Sequence, residues 1–443
     1  MKKFEQTAFW NPYFETLNLN HLQDIQLQRF KKILKFAFDH SPCYRRLYEA
    51  NGLNPDAIQS FADIRRTPII DKSFFNNQEG DASFYGDTLA VPEAEVVFFH
   101  QTSGTTHHPL RQPDTLEDWY WWAECWATLL WAQGVRETDR VLIAFNYNLF
   151  IGFWGAHYGC EKIGTEVIST GGLSTEQRLD KILELNVTTI ITTPTYAFRL
   201  IEAAQKKGID LTQTLVKRII CAGEPGALIP STKKELETHW NCDVYDHIGA
   251  TEVGAWGYEC SAKPGGLHVN EAMFLVELMD LETHQIITEP NHYGSLVITA
   301  FHRRGQPCIR FNTYDLACWQ ETSCPCHRTY RLLKGGIQGR VDHLIKVRGT
   351  FVTPATIEDI VFNMAQLNRE YLIIVGEKGK TLDLLVEAQE GLDRMEYDLV
   401  KQELEKMIYN KTQLCFNITI KPYGELPRSD AKSKRIVDLR KGH

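Results

Sequence analysis

The chain has 443 residues, 43% of them hydrophobic and 23% charged, and a formal net charge of -8. That length supports two or three subdomains around a sizeable core, and the ordinary composition excludes a disordered or fibrous chain. The acidic balance excludes a dedicated nucleic-acid binder.

The first residues, MKKFEQTAFWNPYF, lack the apolar core of a secretory signal, and no apolar run reaches the roughly 18 residues of a membrane span. A cytoplasmic protein without membrane attachment is expected. The odd number of cysteines, 11, scattered from Cys43 to Cys415, suits a reducing compartment better than a disulfide framework. Residues 21–42 carry apolar side chains at Leu22, Ile25, Leu27, Phe30, Ile33, Leu34 and Ala37, which predicts a helix ending before Pro42. Residues 119–131 hold five of the 10 tryptophans, with Trp119, Trp122 and Trp126 at helical spacing. The spacing reads as an aromatic core helix, with a pocket wall or oligomer contact as the other reading. Short buried strands are expected at 141–145, 187–193 and 217–223, with helices between them. This rhythm predicts an α/β fold whose ligands sit beyond the carboxyl ends of the strands. Glycines at 335, 336 and 339 then interrupt the pattern, and a second unit is expected from residue 340.

The run QTSGTTHHP at 101–109 looks built for phosphate. It lacks the second glycine and the lysine of the Gly-x4-Gly-Lys-Ser/Thr loop, which excludes that nucleotide-binding class. It keeps hydroxyls on Thr102, Ser103, Thr105 and Thr106 around the permissive Gly104, enough to wrap a polyphosphate with side chains and backbone N–H groups. Alone it reads equally as a Ser/Thr-rich surface turn.

Further runs follow in order: CAGEPG at 221–226, YDHIGATEVGAWGYEC at 245–260, IRFNTYDLACW at 309–319, GRVDHLIKVRGTFVTPATIED at 339–359 and LPRSDAKSKRIVDLR at 426–440. Together they resemble the adenylate-forming acyl-CoA synthetase superfamily, and within it the phenylacetate-CoA ligase-like branch. The resemblance runs from NPYFETL at 11–17 through FWGAHYG at 153–159 to the end of the last run. It implies a large N-terminal adenylation domain, 1–339, of mixed and parallel sheets flanked by helices. A small mobile α+β domain, 340–443, would follow. The implied reaction is ATP-dependent activation of a carboxylic acid as acyl-AMP, then transfer to coenzyme A, with Mg2+ on the phosphates.

The same resemblance assigns residues. Thr102, Ser103, Gly104, Thr105 and Thr106 match the phosphate loop, and Glu252, after Thr251, matches the acid that holds Mg2+. Asp315 matches the acceptor of the ribose hydroxyls, and Arg340 an arginine that also reaches the nucleotide. Gly223, Glu224, Pro225 and Asp246 fall where the family forms its adenine pocket. Lys432 matches the lysine bridging the acyl carboxylate and the α-phosphate, Asp342 the hinge, and Arg348 with Gly349 the coenzyme A channel. Catalysis is assigned to Lys432 and Glu252.

Departures bear on the substrate. Ile248 stands before Gly249 where the branch carries an aromatic residue, and Phe153 and Trp154 stand where relatives carry small glycines. With Tyr147, these residues form the expected acyl pocket, sized for an aryl or a small hydroxy or branched acid; that the rings of Phe153 and Trp154 pack into the core is the other reading. His107 and His108 replace the glycine and variable residue that follow the family's loop; they are expected to stiffen its exit. Cys324 and Cys326, with Cys260 and His268, have the residue types of a closed structural zinc site, with His327 in reserve; buried free thiols are the other reading. A homodimer fits the branch. An adenylating enzyme that passes its acyl group to an amine or a carrier-protein thiol would show the same nucleotide motifs, and a silent binding homologue is opposed by intact Glu252, Asp315 and Lys432.

Overall fold

The computed structural model describes residues 8–76, 84–102, 110–224, 226–262, 265–341, 345–347, 350–352, 354–376, 381–427 and 435–439. Four short strands, Glu166–Ser169, Arg140–Ile143, Thr189–Thr192 and Arg218–Cys221, lie side by side and parallel, and Asp243–Ala250 extends them in the same direction. The three expected strands are among them, shorter than their apolar runs because the flanking residues enter turns. The Ala144 N–H, beyond its strand, still donates to the Ile191 carbonyl at 3.0 Å.

Past Asp243–Ala250 the pairing turns antiparallel, through Gly254–Tyr258, Gly266–Val269 and Leu332–Lys334. The result is one mixed eight-stranded sheet. An antiparallel set, Ile286–Ile287, Phe274–Met279, Tyr293–Ala300 and Phe311–Cys318, forms beside it in sequence, and Phe274–Met279 is buried along its whole length. A separate hairpin joins Val96–Gln101 to Arg111–Thr115.

Helices follow the expected patterns. The first long one, Leu19–His40, buries Leu22, Phe30, Ile33, Leu34 and Ala37, and Pro42 starts the next helix, Pro42–Ala50. Gln26 is buried among them, where its side-chain amide donates to the Glu271 carbonyl at 2.9 Å. The aromatic helix Leu116–Ala132 begins in a capping box: Thr115 accepts from the Asp118 N–H at 3.1 Å, and Asp118 accepts from the Thr115 N–H at 2.9 Å. Trp119, Trp121, Trp122, Trp126 and Trp131 are all buried, which supports the core-helix reading. A side chain at Gly155 or Gly159 would run into Trp126, so these two glycines let helix Ile151–Ile163 lie against the aromatic helix.

The chain forms two compact units, Met1–Gly223 with Leu236–Gly336, and Glu224–Glu235 with Ile337–His443. The second contains a four-stranded sheet in the order Asn417–Lys421, Leu382–Ala388, Leu367–Val375, Ile436–Asp438. Helices Pro354–Phe362 and Tyr397–Thr412 cover it, and Ile357, Val361, Ile373, Leu384, Leu404 and Ile408 belong to its core. No helix among the described residues is long and apolar enough to cross a membrane.

Candidate active site

The neck of the phosphate-loop segment is closed by two hydrogen bonds. The Thr102 N–H donates to the Leu110 carbonyl at 3.1 Å, and the Leu110 N–H donates to the Thr102 hydroxyl at 3.0 Å. Thr102 thus uses one lone pair to hold the loop's base. Ser103, Gly104, Thr105 and Thr106 lie outside the described residues, as do His107 and His108. The Gln101 N–H donates to the Leu149 carbonyl at 2.8 Å, which ties the neck to the segment before helix Ile151–Ile163.

Parallel strands Arg218–Cys221 and Asp243–Ala250 are in register at Cys221 and Asp246, and the second strand runs on to Ala250. Gly223 leaves the first with φ of +90°, a conformation that favours glycine. Glu224 is half-buried, and Pro225 lies outside the described residues. Asp246 is buried; its carboxylate accepts from the His247 N–H at 2.9 Å and its carbonyl from the Gln133 side chain at 3.0 Å. Thr251 and Glu252 sit beyond the strand, both buried. Lys72, on the short helix Lys72–Asn76, brings its ammonium to 3.5 Å from the Glu252 carboxylate. Nothing in the spacing of the motifs had pointed to Lys72.

Asp315 lies half-buried on strand Phe311–Cys318, where its N–H donates to the Thr313 hydroxyl at 3.1 Å. Tyr314 beside it adopts φ of +58° and donates its hydroxyl to Asp71 at 2.9 Å. Arg340 is half-buried on Gly339–Arg340, in the second unit. Asp342, Arg348, Gly349 and Lys432 lie outside the described residues.

Of the four residues expected in the acyl pocket, Tyr147 and Trp154 line one cavity of about 390 Å³, with Asn146, His157 and Ser169. It opens beyond the carboxyl ends of Arg140–Ile143 and Glu166–Ser169, where a parallel sheet presents ligand sites. The Tyr147 hydroxyl is 3.0 Å from His157 Nδ1, and His157 Nε2 is 3.1 Å from Glu161. Burial raises the Tyr147 pKa, so its hydroxyl keeps the proton it donates. The Trp154 indole donates to the Asn148 carbonyl at 2.9 Å. Phe153 does not line this cavity: it is buried and stacked on Phe145, centroids 4.0 Å apart. Ile248 is half-buried on its strand and also lies outside this lining. His157 was not anticipated, although its spacing from Glu161 is that of neighbours on a helix.

A second cluster forms at the antiparallel end of the large sheet. His268 is paired across its strand with Tyr258 on one side and Leu332 on the other, and Cys260 follows strand Gly254–Tyr258. Ligand atoms of Cys260, His268, Cys324 and Cys326 all lie within 4.8 Å of one another. The sulfurs of Cys260 and Cys324 are 3.5 Å apart, and Cys326 Sγ is 3.3 Å from His268 Nε2. His268 Nδ1 is 3.1 Å from the Tyr330 carbonyl, an acceptor that holds a proton on Nδ1 and leaves Nε2 facing the sulfurs. Hydrogen bonding from Cys260, and then from His268, lowers the Cys326 thiol pKa and favours its thiolate. That same bond, with burial, pushes the Cys260 thiol well up.

Comparison with known proteins gives the family of the fold. The AMP-binding enzyme C-terminal domain family matches residues 349–440. The chain is 30% identical to the phenylacetate-coenzyme A ligase of Escherichia coli (strain K12), over 96% of this chain and 97% of that one. It is 29% identical to the phenylacetate-coenzyme A ligase of Thermus thermophilus, over 98% of this chain and 100% of that one. A crystal structure of 2-hydroxyisobutyryl-CoA ligase in the postadenylation state, in complex with 2-HIB-AMP, superposes with a TM-score of 0.91 at 25% identity, covering 99% of this chain and 94% of that one. The mixed α/β sheets and the small C-terminal unit are thus those of an AMP-forming acid–thiol ligase. Within that class, the chain belongs to the phenylacetate-CoA ligase family of adenylate-forming enzymes.

Proposed function

We propose that the protein joins a small carboxylic acid to coenzyme A at the expense of ATP, in two half-reactions. In the first, a carboxylate oxygen attacks the α-phosphorus of ATP, and acyl-AMP and pyrophosphate form. In the second, the coenzyme A thiol, as its thiolate, attacks the acyl carbonyl and AMP leaves. The observation that carries this reading is the near full-length similarity to coenzyme A ligases, joined to the buried Glu252 beyond the strand that carries Asp246.

The first step brings anions together, so its transition state needs cations and hydrogen-bond donors. Thr102, Ser103, Gly104, Thr105 and Thr106 would wrap the phosphates. Glu252 would hold Mg2+, whose preference for hard oxygen ligands its buried carboxylate meets; bound there, the ion offsets charge on the triphosphate. Asp315 would accept from the ribose hydroxyls, and Gly223, Glu224, Pro225 and Asp246 would frame the adenine. Arg340 would add charge at the nucleotide and Lys432 would bridge carboxylate and α-phosphate. Residues 1–339 would form the adenylation domain and 340–443 a domain that moves about Asp342, so that Lys432 gives way to Arg348 and Gly349 beside coenzyme A.

The acid is proposed as an aryl or small hydroxy or branched one, held at Tyr147 and Trp154; Phe153 and Ile248, expected in the same pocket, lie outside its lining. The cavity beside Tyr147 and Trp154 favours a compact acyl group over a long chain. Cys260, His268, Cys324 and Cys326 would hold a structural zinc ion. Tetrahedral zinc with bonds of about 2.3 Å to sulfur places two sulfurs about 3.8 Å apart, and the 3.5 Å between Cys260 and Cys324 fits that spacing. A cytoplasmic homodimer, binding neither nucleic acid nor membrane, completes the proposal. The test is acid-dependent pyrophosphate release across a panel of carboxylic acids, with and without coenzyme A. Release without thioester formation would direct the acyl group to an amine or carrier-protein thiol instead, and no release would end the ligase reading.

A further inference from the structure

Arg303 belongs to none of the motifs, yet it is a fully buried cation of the first unit. Its Nη2 donates to Asp114 Oδ1 at 3.1 Å and its Nη1 to the Thr251 carbonyl at 2.6 Å. Asp114 is equally buried and sits on Arg111–Thr115, the strand that leaves the phosphate-loop neck. Its other oxygen is 3.6 Å from Nδ1 of His100, on Val96–Gln101, the strand that enters it. One strand of the hairpin therefore meets the guanidinium directly and the other lies beside it through Asp114, while the same guanidinium grips the residue before Glu252. The Val253 N–H donates to the Ala250 carbonyl at 3.1 Å, so Thr251 and Glu252 sit in a tight turn that Arg303 contacts at the Thr251 carbonyl.

The aromatic helix walls this network. Trp122 lies under the Arg303 guanidinium at 5.5 Å, and Trp119 stacks on His100 at 5.1 Å. Among the described residues, Arg303 Nε, Asp114 Oδ2 and His100 Nδ1 have no hydrogen-bond partner. A buried ion pair is often replaced by apolar residues without loss of stability, so stability alone gives little reason for this one. A planar guanidinium instead fixes two acceptors at set directions, which suits the holding of one segment in register with another.

We propose that Arg303 is a positioning residue for adenylation: with Asp114, it holds the phosphate-loop hairpin at a set distance from the turn that carries Glu252. The inference rests on the ligase reading of that loop and of Glu252. Its effect falls on the half-reaction that handles the triphosphate and leaves thioester formation alone.

The test uses the full chain, first establishing which acid the unsubstituted enzyme activates; no acid-dependent pyrophosphate release at that stage would defeat the ligase reading itself. The double variant Asp114→Leu/Arg303→Met then removes both charges together. The expected result is a thermal midpoint near that of the unsubstituted protein and a loss in adenylation of about 10- to 100-fold, the scale of an ångström-sized misplacement. Conversion of supplied acyl-adenylate to thioester should stay within about twofold. Unchanged adenylation, or equal loss of both half-reactions, would overturn the proposal. Should the double variant fail to fold, Arg303→Lys decides on the same split, because lysine keeps the charge and loses the planar fork: loss confined to adenylation supports the proposal, while no loss or equal loss overturns it.

Discussion

Cys260 and Cys324 bring their sulfurs to 3.5 Å of each other although 64 positions separate them in the chain. With His268 and Cys326 they join the loop after the Glu252 segment to the loop before Leu332–Lys334, and a zinc ion there would bind only the folded chain. Purified protein should therefore carry about one zinc per chain. Cys324→Ser should lower both the zinc content and the thermal midpoint, the latter by about 5 °C or more. Protein free of zinc after purification in metal-containing medium would instead make these four residues buried thiols and imidazole.

Gly159 sets how closely two helices pack. A methyl group there would strike the Trp126 Cβ and approach the backbone of Trp126 and Ala127, atoms that have no room to rotate away. Gly159→Ala should cost about 1–3 kcal/mol in urea unfolding despite alanine's better helix propensity. A stabilised variant would show that the helices can part at little cost.

His247 links stability to pH. It is buried against Trp126, with Nδ1 3.0 Å from the Gly257 carbonyl, and burial lowers its pKa to about 4. In the unfolded chain histidine protonates at about pH 6.5. Between those values the unfolded state holds more protons, so stability falls as the pH falls, by up to about 3 kcal/mol on reaching pH 4. A His247→Gln variant should show a shallower slope of stability against pH between 6.5 and 4. An unchanged slope would assign the acid sensitivity to other groups.

Lys432 is assigned to one half-reaction. Lys432→Ala should lose adenylation by a factor of about 100 or more while still converting supplied acyl-adenylate to thioester. Equal loss of both steps would contradict that role.

Much of the fold and part of the site were legible in the residues. Strands Thr189–Thr192 and Arg218–Cys221 follow from β-branched and aliphatic runs, and helix Leu19–His40 from its apolar stripe, because burial on one face imposes a period. Gly223 and Glu252 stood out only through the motifs shared with the family; the φ of +90° at Gly223 is visible only in the fold. The Cys and His cluster was legible as ligand chemistry, although only the strand pairing of His268 with Tyr258 shows why a distant Cys260 comes near. Phe153 shows the limit: its aromatic ring suggested a pocket wall, and the direction of its side chain, toward Phe145, is set by the turn of a helix no single residue announces. Arg303 and Asp114 left no trace, since an ion pair spanning 189 positions has no local pattern.

In the proposed reaction an acyl-adenylate forms before coenzyme A takes part. Exchange of labelled pyrophosphate into ATP tests it directly, since exchange requires the first half-reaction to run in both directions without the second. Exchange should depend on the carboxylic acid and on Mg2+, and should proceed with coenzyme A absent. Thioester formation with no acid-dependent exchange under those conditions would contradict the account.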